Sequence, residues 1–333
     1  MTANLWRVSG LVAAALILLV CLISSIMFGA TNFRFATAWQ TLMHYDENVR
    51  EQVIIHTTRM PRAFIAAAIG ASLAIAGALM QALTRNPLAA PSVLGVNAGA
   101  TFFIVFAATV LSVSSLSVLM WISFLGAAVA AAAVYVLGSM GRDGLTPIKI
   151  ILAGSAMTAL FSSLTQAMLV VNKQVLSSVL FWLTGSIAGR SPDMLLAVLP
   201  YMIVCWLAAC VIARDVNLLL MGEDTAKSLG QRTVVIKTVA AIIIVVLAGS
   251  SVSVAGPIGF IGIVIPHISR FFVGMDYRWV IPYCALLGAI LLILADLVAR
   301  FIMIPEEMPV GVMTAMIGAP FFIYMARKGI AKT

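Results

Sequence analysis

Two arginines three residues apart, in Arg59-Met-Pro-Arg62, stand at the head of a long apolar run. On the residues alone they read as arginines at a helix end whose charged heads snorkel to the aqueous face. A third arginine, Arg300, follows Asp296 by four residues, the helical spacing of an ion pair. Asp296 is the acid that falls inside an apolar run, near its end. Shielding of Arg300 is the plainer reading of it, and a proton relay the sharper one. The polar stretch 221–230 reads as one short amphipathic helix ended by Gly230, with Glu223 and Lys227 paired at i,i+4. Such a helix is either a solvated linker or a peg for a cleft on a soluble partner. Asn86, just before Pro87, has the side chain of a helix N-cap.

Several chemistries have no residues to carry them. No Gly-x-x-x-x-Gly-Lys-[Ser/Thr] occurs, so no P-loop holds nucleotide phosphates. Neither His-Glu-x-x-His nor Gly-x-Ser-x-Gly occurs, and no nucleophile–base pair is visible, so the chain does not read as an enzyme. Cys21, Cys205, Cys210 and Cys284 lie in apolar runs without a Cys-x-x-Cys pair, which argues for small hydrophobes rather than a metal or redox site. His267, alone after Pro266, reads as structural.

The elements that position these residues follow from composition. The chain is 62% hydrophobic and 10% charged, with mean hydropathy +1.11. Soluble domains carry about 25% charged residues. Lipid therefore decides the fold, and the non-alternating runs of near-span length select helices over a barrel. The net charge of +8 belongs to loops beside a membrane and does not imply nucleic acid.

The runs predict about ten membrane-spanning helices in one domain, residues 1–333. The first, Val8 to Gly29, reads as a retained span rather than a cleaved leader. A polar segment, Thr31 to Thr58, leaves room for a surface helix. The second span, Ala63 to Leu83, carries Ala66, Gly70, Ala74 and Gly77 as a stripe where another helix can approach closely. The third, Gly95 to Leu111, is short. The fourth covers Val118 to Gly138 and the fifth Ile148 to Val171, opened by a Thr146-Pro147 cap. The fifth is polar for a lipid-facing helix, with Ser155, Thr158, Ser162, Ser163, Thr165 and Gln166. Residues 179–189 suit a short re-entrant or interfacial helix. Later spans end at Ala213, Val254, Val273, Ala299 and near Ala326.

Ten spans place both termini on one side. Most Lys and Arg then fall on that side, which makes it cytoplasmic. The exceptions are Arg34, Arg50, Arg59, Arg62, Lys173, Arg190 and Arg300, outside charges that need another reason.

Taken in order, several segments resemble the permease subunits of the iron-siderophore, haem and cobalamin ABC importers. They are Arg59-Met-Pro-Arg62, Gly77-Ala-Leu-Met-Gln81, Arg85-Asn-Pro-Leu-Ala89 with Leu94-Gly-Val96, Gly222 to Gly230, Gly256 to Arg270, and Glu307-Met-Pro-Val-Gly311. The resemblance spans almost the whole chain. It implies the fold of the cobalamin-importer permease in a bacterial cytoplasmic membrane, N-in and C-in. It implies partners: a second permease, identical or paralogous, two cytoplasmic ATPases and an extracytoplasmic solute-binding protein. No cofactor is expected on this chain; ATP and magnesium would be used by the ATPase subunits.

Residue roles are also implied. Arg59, Arg62 and Arg300 would dock acidic residues of the binding protein, where the residues alone suggest only snorkelling arginines. Gly222, Glu223, Asp224, Ala226, Lys227, Leu229 and Gly230 would form the coupling helix against the ATPase. Asn86 and Leu88 would form the cytoplasmic gate, with Thr146 near a second gate. Ser155, Thr158, Ser162, Thr165 and Gln166 would line a wet, weakly binding pathway. The expected function is import of ferric siderophore. The alternatives are the same machine carrying cobalamin or haem, an ion-coupled secondary transporter, and a scaffold without transport.

Overall fold

The computed structural model describes residues 2–29, 33–140, 146–172, 179, 182–303 and 306–330, and all the regular structure among them is helical. The helices are α1 (Thr2–Met27), α2 (Phe35–Met43), α3 (Arg50–Ile54), α4 (Met60–Thr84), α5 (Val96–Val110), α6 (Leu116–Ser139) and α7 (Pro147–Val171). They continue with α8 (Pro192–Val211), α9 (Ala213–Leu220), α10 (Glu223–Ser228), α11 (Thr233–Ala255), α12 (Ile261–Val273), α13 (Tyr277–Ile302) and α14 (Val310–Ile330). Among the described residues, seven stretches are long and apolar enough to cross a membrane; α5, α12 and α14 are shorter apolar helices at the places of the third, eighth and tenth expected spans.

The molecule is built around α4. Some 89% of its apolar window is buried, against 17% for α1 and 22% for α7. Helix α13 runs beside it, and α11, α12 and α8 complete its shell. The small-residue stripe makes these approaches possible. A Cβ on Gly70 would stand 2.2 Å from the Gly288 carbonyl oxygen, and one on Gly77 would stand 2.1 Å from that of Gly262. Backbones can approach so closely only where side chains are absent. Trp206 of α8 adds a polar tie, donating from Nε1 to Ser72 Oγ at 3.0 Å.

Three expectations change. The polar segment before α4 holds the short helix it has room for, α2, but its last part joins the span: residues 50–84 form one continuous rod of 35 residues. Within it, Ile55–Arg59 is a π-helical turn. Pro61 explains the turn, since it lacks the N–H that would bond one turn back and its ring crowds that carbonyl. Second, a further helix stands between α8 and the short helix expected at 221–230. Residues 213–220 form a helix of their own, with Ala213, Val216 and Leu219 turned inward. Third, 179–189 is not one helix. Residues 180 and 181 lie outside the described residues, and helix ends at Leu183. Gly185 and Gly189 take φ of +70° or more, a left-handed backbone that terminates helices.

That segment is nevertheless firmly seated. The Ser186 amide donates to the Ala255 carbonyl at 2.8 Å, and the Gly311 amide to Gly185 at 2.9 Å. It thereby joins the end of α11 to the start of α14.

Candidate functional site

The expected functional residues gather at the two ends of α4 and at a corner beside its second end. At the arginine end, Arg62 forks onto Asp296 of α13, with Nη2 to Oδ1 at 2.8 Å and Nε to Oδ2 at 3.0 Å. Its Nη1 reaches Glu307 Oε2 at 2.5 Å. Arg300 takes the remaining side of Asp296 through Nε at 3.1 Å and also through Nη2. It donates further to the Ser25 carbonyl at 2.7 Å and to Ser25 Oγ at 3.0 Å. Arg59 donates to the Phe28 carbonyl at 2.9 Å and lies over the Phe33 ring.

The expected Asp296–Arg300 pair is therefore present, inside a larger cluster. The arginines do not project as free outward groups: Arg59 is 7% exposed, Arg62 8% and Arg300 1%. Each spends hydrogen bonds on its own chain. Buried charge is tolerated here because every guanidinium has oxygen partners and Asp296 serves two of them.

At the other end, Arg85 closes α4 with a left-handed backbone, φ 50° and ψ 31°. Asn86 is not a helix N-cap. Its Oδ1 accepts from the Leu88 amide at 2.9 Å, an Asx turn, and no helix starts until the 3-10 turn Pro91–Leu94. Asn86 and Leu88 thus share one turn, both half-buried. Thr146 stands on a separate element as the cap of α7, accepting from the Lys149 amide at 3.4 Å. Gln81 donates to the Gly262 carbonyl at 3.1 Å and accepts from Arg270, tying α4 to both ends of α12.

The corner follows. Gly222, at φ 124°, separates α9 from α10. Glu223 bonds Lys227 at 3.2 Å, as the spacing predicts, and Lys237 of α11 at 2.6 Å. The hydrogen bond from Lys237 holds the Glu223 carboxyl below its usual range against the opposing effect of burial. Ala226 is fully buried under the helix, while Asp224, Lys227, Leu229 and Gly230 face outward.

On α7 the expected pathway residues divide. Ser155 and Gln166 are exposed, Thr158 and Ser162 half-buried. Thr165 does not join that face. It is 6% exposed and its hydroxyl is spent on the Phe161 carbonyl at 2.7 Å. Among the described residues no group of His, Cys, Asp and Glu is placed to hold a metal ion. His267 sits edge-on to Phe321 at 5.7 Å between ring centroids.

Sequence reasoning missed three sets of contacts: Arg62 with Asp296 and Glu307, Gln81 with Arg270, and the ties that α9 makes. Of the last, Arg85 Nη2 donates to the Leu219 carbonyl at 3.1 Å. Asn217 clamps the start of α13, donating to Asp276 Oδ1 at 2.7 Å and accepting from the Tyr277 amide at 2.8 Å. The polar residues flanking apolar runs were the available signal; their pairing was not.

Comparison with known proteins places this architecture. The chain is 54% identical over 319 residues to the probable siderophore transport system permease protein YfiZ of Bacillus subtilis, covering 96% of each. It is 37% identical over 313 residues to the ferric enterobactin transport system permease protein FepD of Escherichia coli, covering 94% of this chain and 93% of that one. The cobalamin import system permease protein BtuC of Halobacterium salinarum matches at 39% over 277 residues, 83% of this chain and 74% of that one. Among solved structures, an ABC transporter in an inward-facing conformation, assigned to the metal-chelate type, superposes with a TM-score of 0.84. That likeness is at 29% identity and covers 97% of this chain and 99% of the other. With its long apolar helices, the chain is a multi-pass cell-membrane transport subunit rather than an enzyme. The profile of the FecCD transport family matches residues 17–328, and the chain belongs to that family.

Proposed function

We propose that this chain is the permease of an ATP-driven importer that carries ferric siderophores into the cytoplasm. The observation that carries the cargo is the end-to-end 54% identity to a permease named for siderophore transport. Relatives named for ferric citrate and iron-hydroxamate import, each 43% identical, support the same class. A cobalamin cargo has the Halobacterium relative behind it, at lower identity over less of the chain. The chain works beside a second permease, two ATPase subunits that use ATP and magnesium, and a solute-binding protein. Both termini face the cytoplasm in this reading, with the arginine end of α4 outside.

The geometry supports an external energy source. A proton-coupled secondary transporter needs an acid free to load and release a proton. Asp296, near the end of α13, already serves two arginines. The outward face of α10, with Leu229 and Lys227 exposed, supports a docked ATPase. The gathering of Arg59, Arg62 and Arg300 at the end of α4 that this reading places outside supports docking of an acidic partner.

Proteoliposomes test the proposal. The permease, the ATPase and the binding protein are reconstituted with radioiron as ferric citrate, a ferric hydroxamate or a ferric catecholate, and with cobalamin as the contrast. ATP-dependent accumulation of an iron chelate is the expected result. Uptake driven by an ion gradient without the ATPase would overturn it.

A further inference from the structure

We propose that Arg85 is a positioning residue that fastens the coupling corner to the gate turn, so that displacement of α10 is delivered to Asn86 and Leu88. This deepens the reading above and rests on it.

The first observation is a strained residue in an unexpected place. A left-handed residue after a helix is ordinarily glycine or asparagine. Here it is Arg85, at φ 50°. Strain held at one position calls for something that the side chain provides in return. What it provides is a donor on the Leu219 carbonyl, 134 positions away and 3.1 Å distant.

The second observation is where that carbonyl lies. Leu219 is in the last turn of α9, and its carbonyl also accepts from the Gly222 amide at 3.3 Å. A cation there meets the negative end of a helix dipole. It also meets the joint from which α10 departs. Arg85 precedes Asn86 in the chain, so the bond spans from the coupling joint to the residue beside the gate.

The third observation is that the corner is tied into a unit. Gln231 donates to the Asp215 carbonyl at 2.8 Å, closing the far side of α10 back onto α9. Glu223 bonds Lys237 on α11. Asn217 clamps Asp276 and Tyr277 at the start of α13. Tyr277 in turn donates its hydroxyl to the Ala78 carbonyl of α4 at 3.2 Å. A direct bond at Arg85 and an indirect one through Tyr277 thus converge on the last turns of α4. A unit attached at two points can move the turn that follows it; contacts of this kind shift coupling by about 2- to 30-fold when removed.

The test uses the assembled transporter, permease with its ATPase, in lipid nanodiscs. Exposed Cys210 is replaced by serine, and Ala90→Cys supplies a reporter beside the gate turn. The rate of labelling by a charged maleimide is compared without nucleotide and after trapping with ATP and vanadate. Arg85→Gly is the informative variant, because glycine accepts the backbone conformation and removes only the donor. Expected is thermal stability at or above the parent's, hydrolysis within about twofold, and a nucleotide-dependent labelling change reduced by about 2- to 30-fold. Arg85→Lys, keeping one charged donor, restores part of the change. An undiminished change in Arg85→Gly overturns the inference while leaving the importer reading in place. So does a loss of hydrolysis in step with labelling, which would mark a role in assembly. A parent that shows ATP hydrolysis but no labelling change defeats the gate reading and the inference with it.

Discussion

At its arginine end α4 meets Asp296 through a forked pair of bonds, shares that carboxylate with Arg300, and reaches Glu307 as well. At its Asn-Pro end Arg85 is exposed and donates to a backbone carbonyl, that of Leu219. The same residue type is used in opposite ways. Buried, multiply bonded charges fix one geometry, since each alternative leaves a charge unpaired in a medium of low dielectric. A solvated arginine on a backbone carbonyl ties two segments together without fixing one geometry, because water can serve its other donors as the segments shift. One end of the central rod is built to stay and the other to shift. That arrangement suits a membrane subunit worked from one face.

The largest effect should come from breaking the fixed end. Asp296→Asn leaves Arg62 and Arg300 buried without their shared anion, and breaking a buried pair costs about 3–5 kcal/mol. Thermal unfolding in nanodiscs should show a large drop. An unchanged midpoint would mean that Ser25, Phe28 and Glu307 suffice, and the contrast between the ends would fail. The middle of the rod is next. Gly77→Val puts a Cβ against the Gly262 backbone, a clash that side-chain rotation cannot relieve. Overpacking of this kind costs about 1–3 kcal/mol. It should also weaken the bond that Gln81 makes to Gly262 one turn on, and with it the gate response.

Much of this contrast was hidden in the sequence for a physical reason. Apolar runs, the Thr146-Pro147 cap and the small-residue stripe are local, and they place the spans and the close face of α4. The i,i+4 pairs, Glu223 with Lys227 and Asp296 with Arg300, are local too and are present. Arg62 and Asp296 are 234 positions apart, and only the packing of α13 on α4 joins them. Read without that partner, Arg62 looks like a free outward charge. The continuity of residues 50–84 is not visible locally: polar residues before Ala63 end the apolar run, yet the chain passes through the π-helical turn Ile55–Arg59 without leaving the helix. Thr165 looked like its neighbours Ser162 and Gln166, yet it falls on the side of α7 that packs inward. Periodicity gives a face; it does not say which edge of the face a neighbour will cover.

The mobile end offers a pH test of moderate size. Arg278 hydrogen-bonds Asp276 and holds its carboxyl at about 2, from 3.8. A lowered folded pKa contributes stability above the unfolded value, and this contribution is lost as pH falls from 3.8 towards 2. Arg278 is half-exposed, so solvent screens the pair and its contribution is small. Asp276→Asn should therefore lower the unfolding temperature slightly at neutral pH and flatten its decline on acidification. If the decline keeps its slope, the Asn217–Asp276 tie is not where acid acts.

The smallest effect on stability, and the sharpest on function, belongs to α10. Reversing Glu223 and Lys227 together would keep their mutual pair but set a second ammonium against Lys237. Such a variant mixes local repulsion with loss of docking. Lys227→Gln avoids this, because Glu223 keeps its bond to Lys237 at 2.6 Å. Lys227 is 56% exposed at its side chain, so its loss should change stability by no more than about 0.5 kcal/mol. Its charge faces outward, where an ATPase would meet it. In proteoliposomes, uptake per ATP hydrolysed should fall while the unfolding temperature stays put. A variant that transports as well as the parent would leave Leu229 and Asp224 to carry the contact, and Leu229→Ala would then be the more damaging change. The order of those two substitutions decides whether the mobile end is gripped through charge or through an apolar side chain.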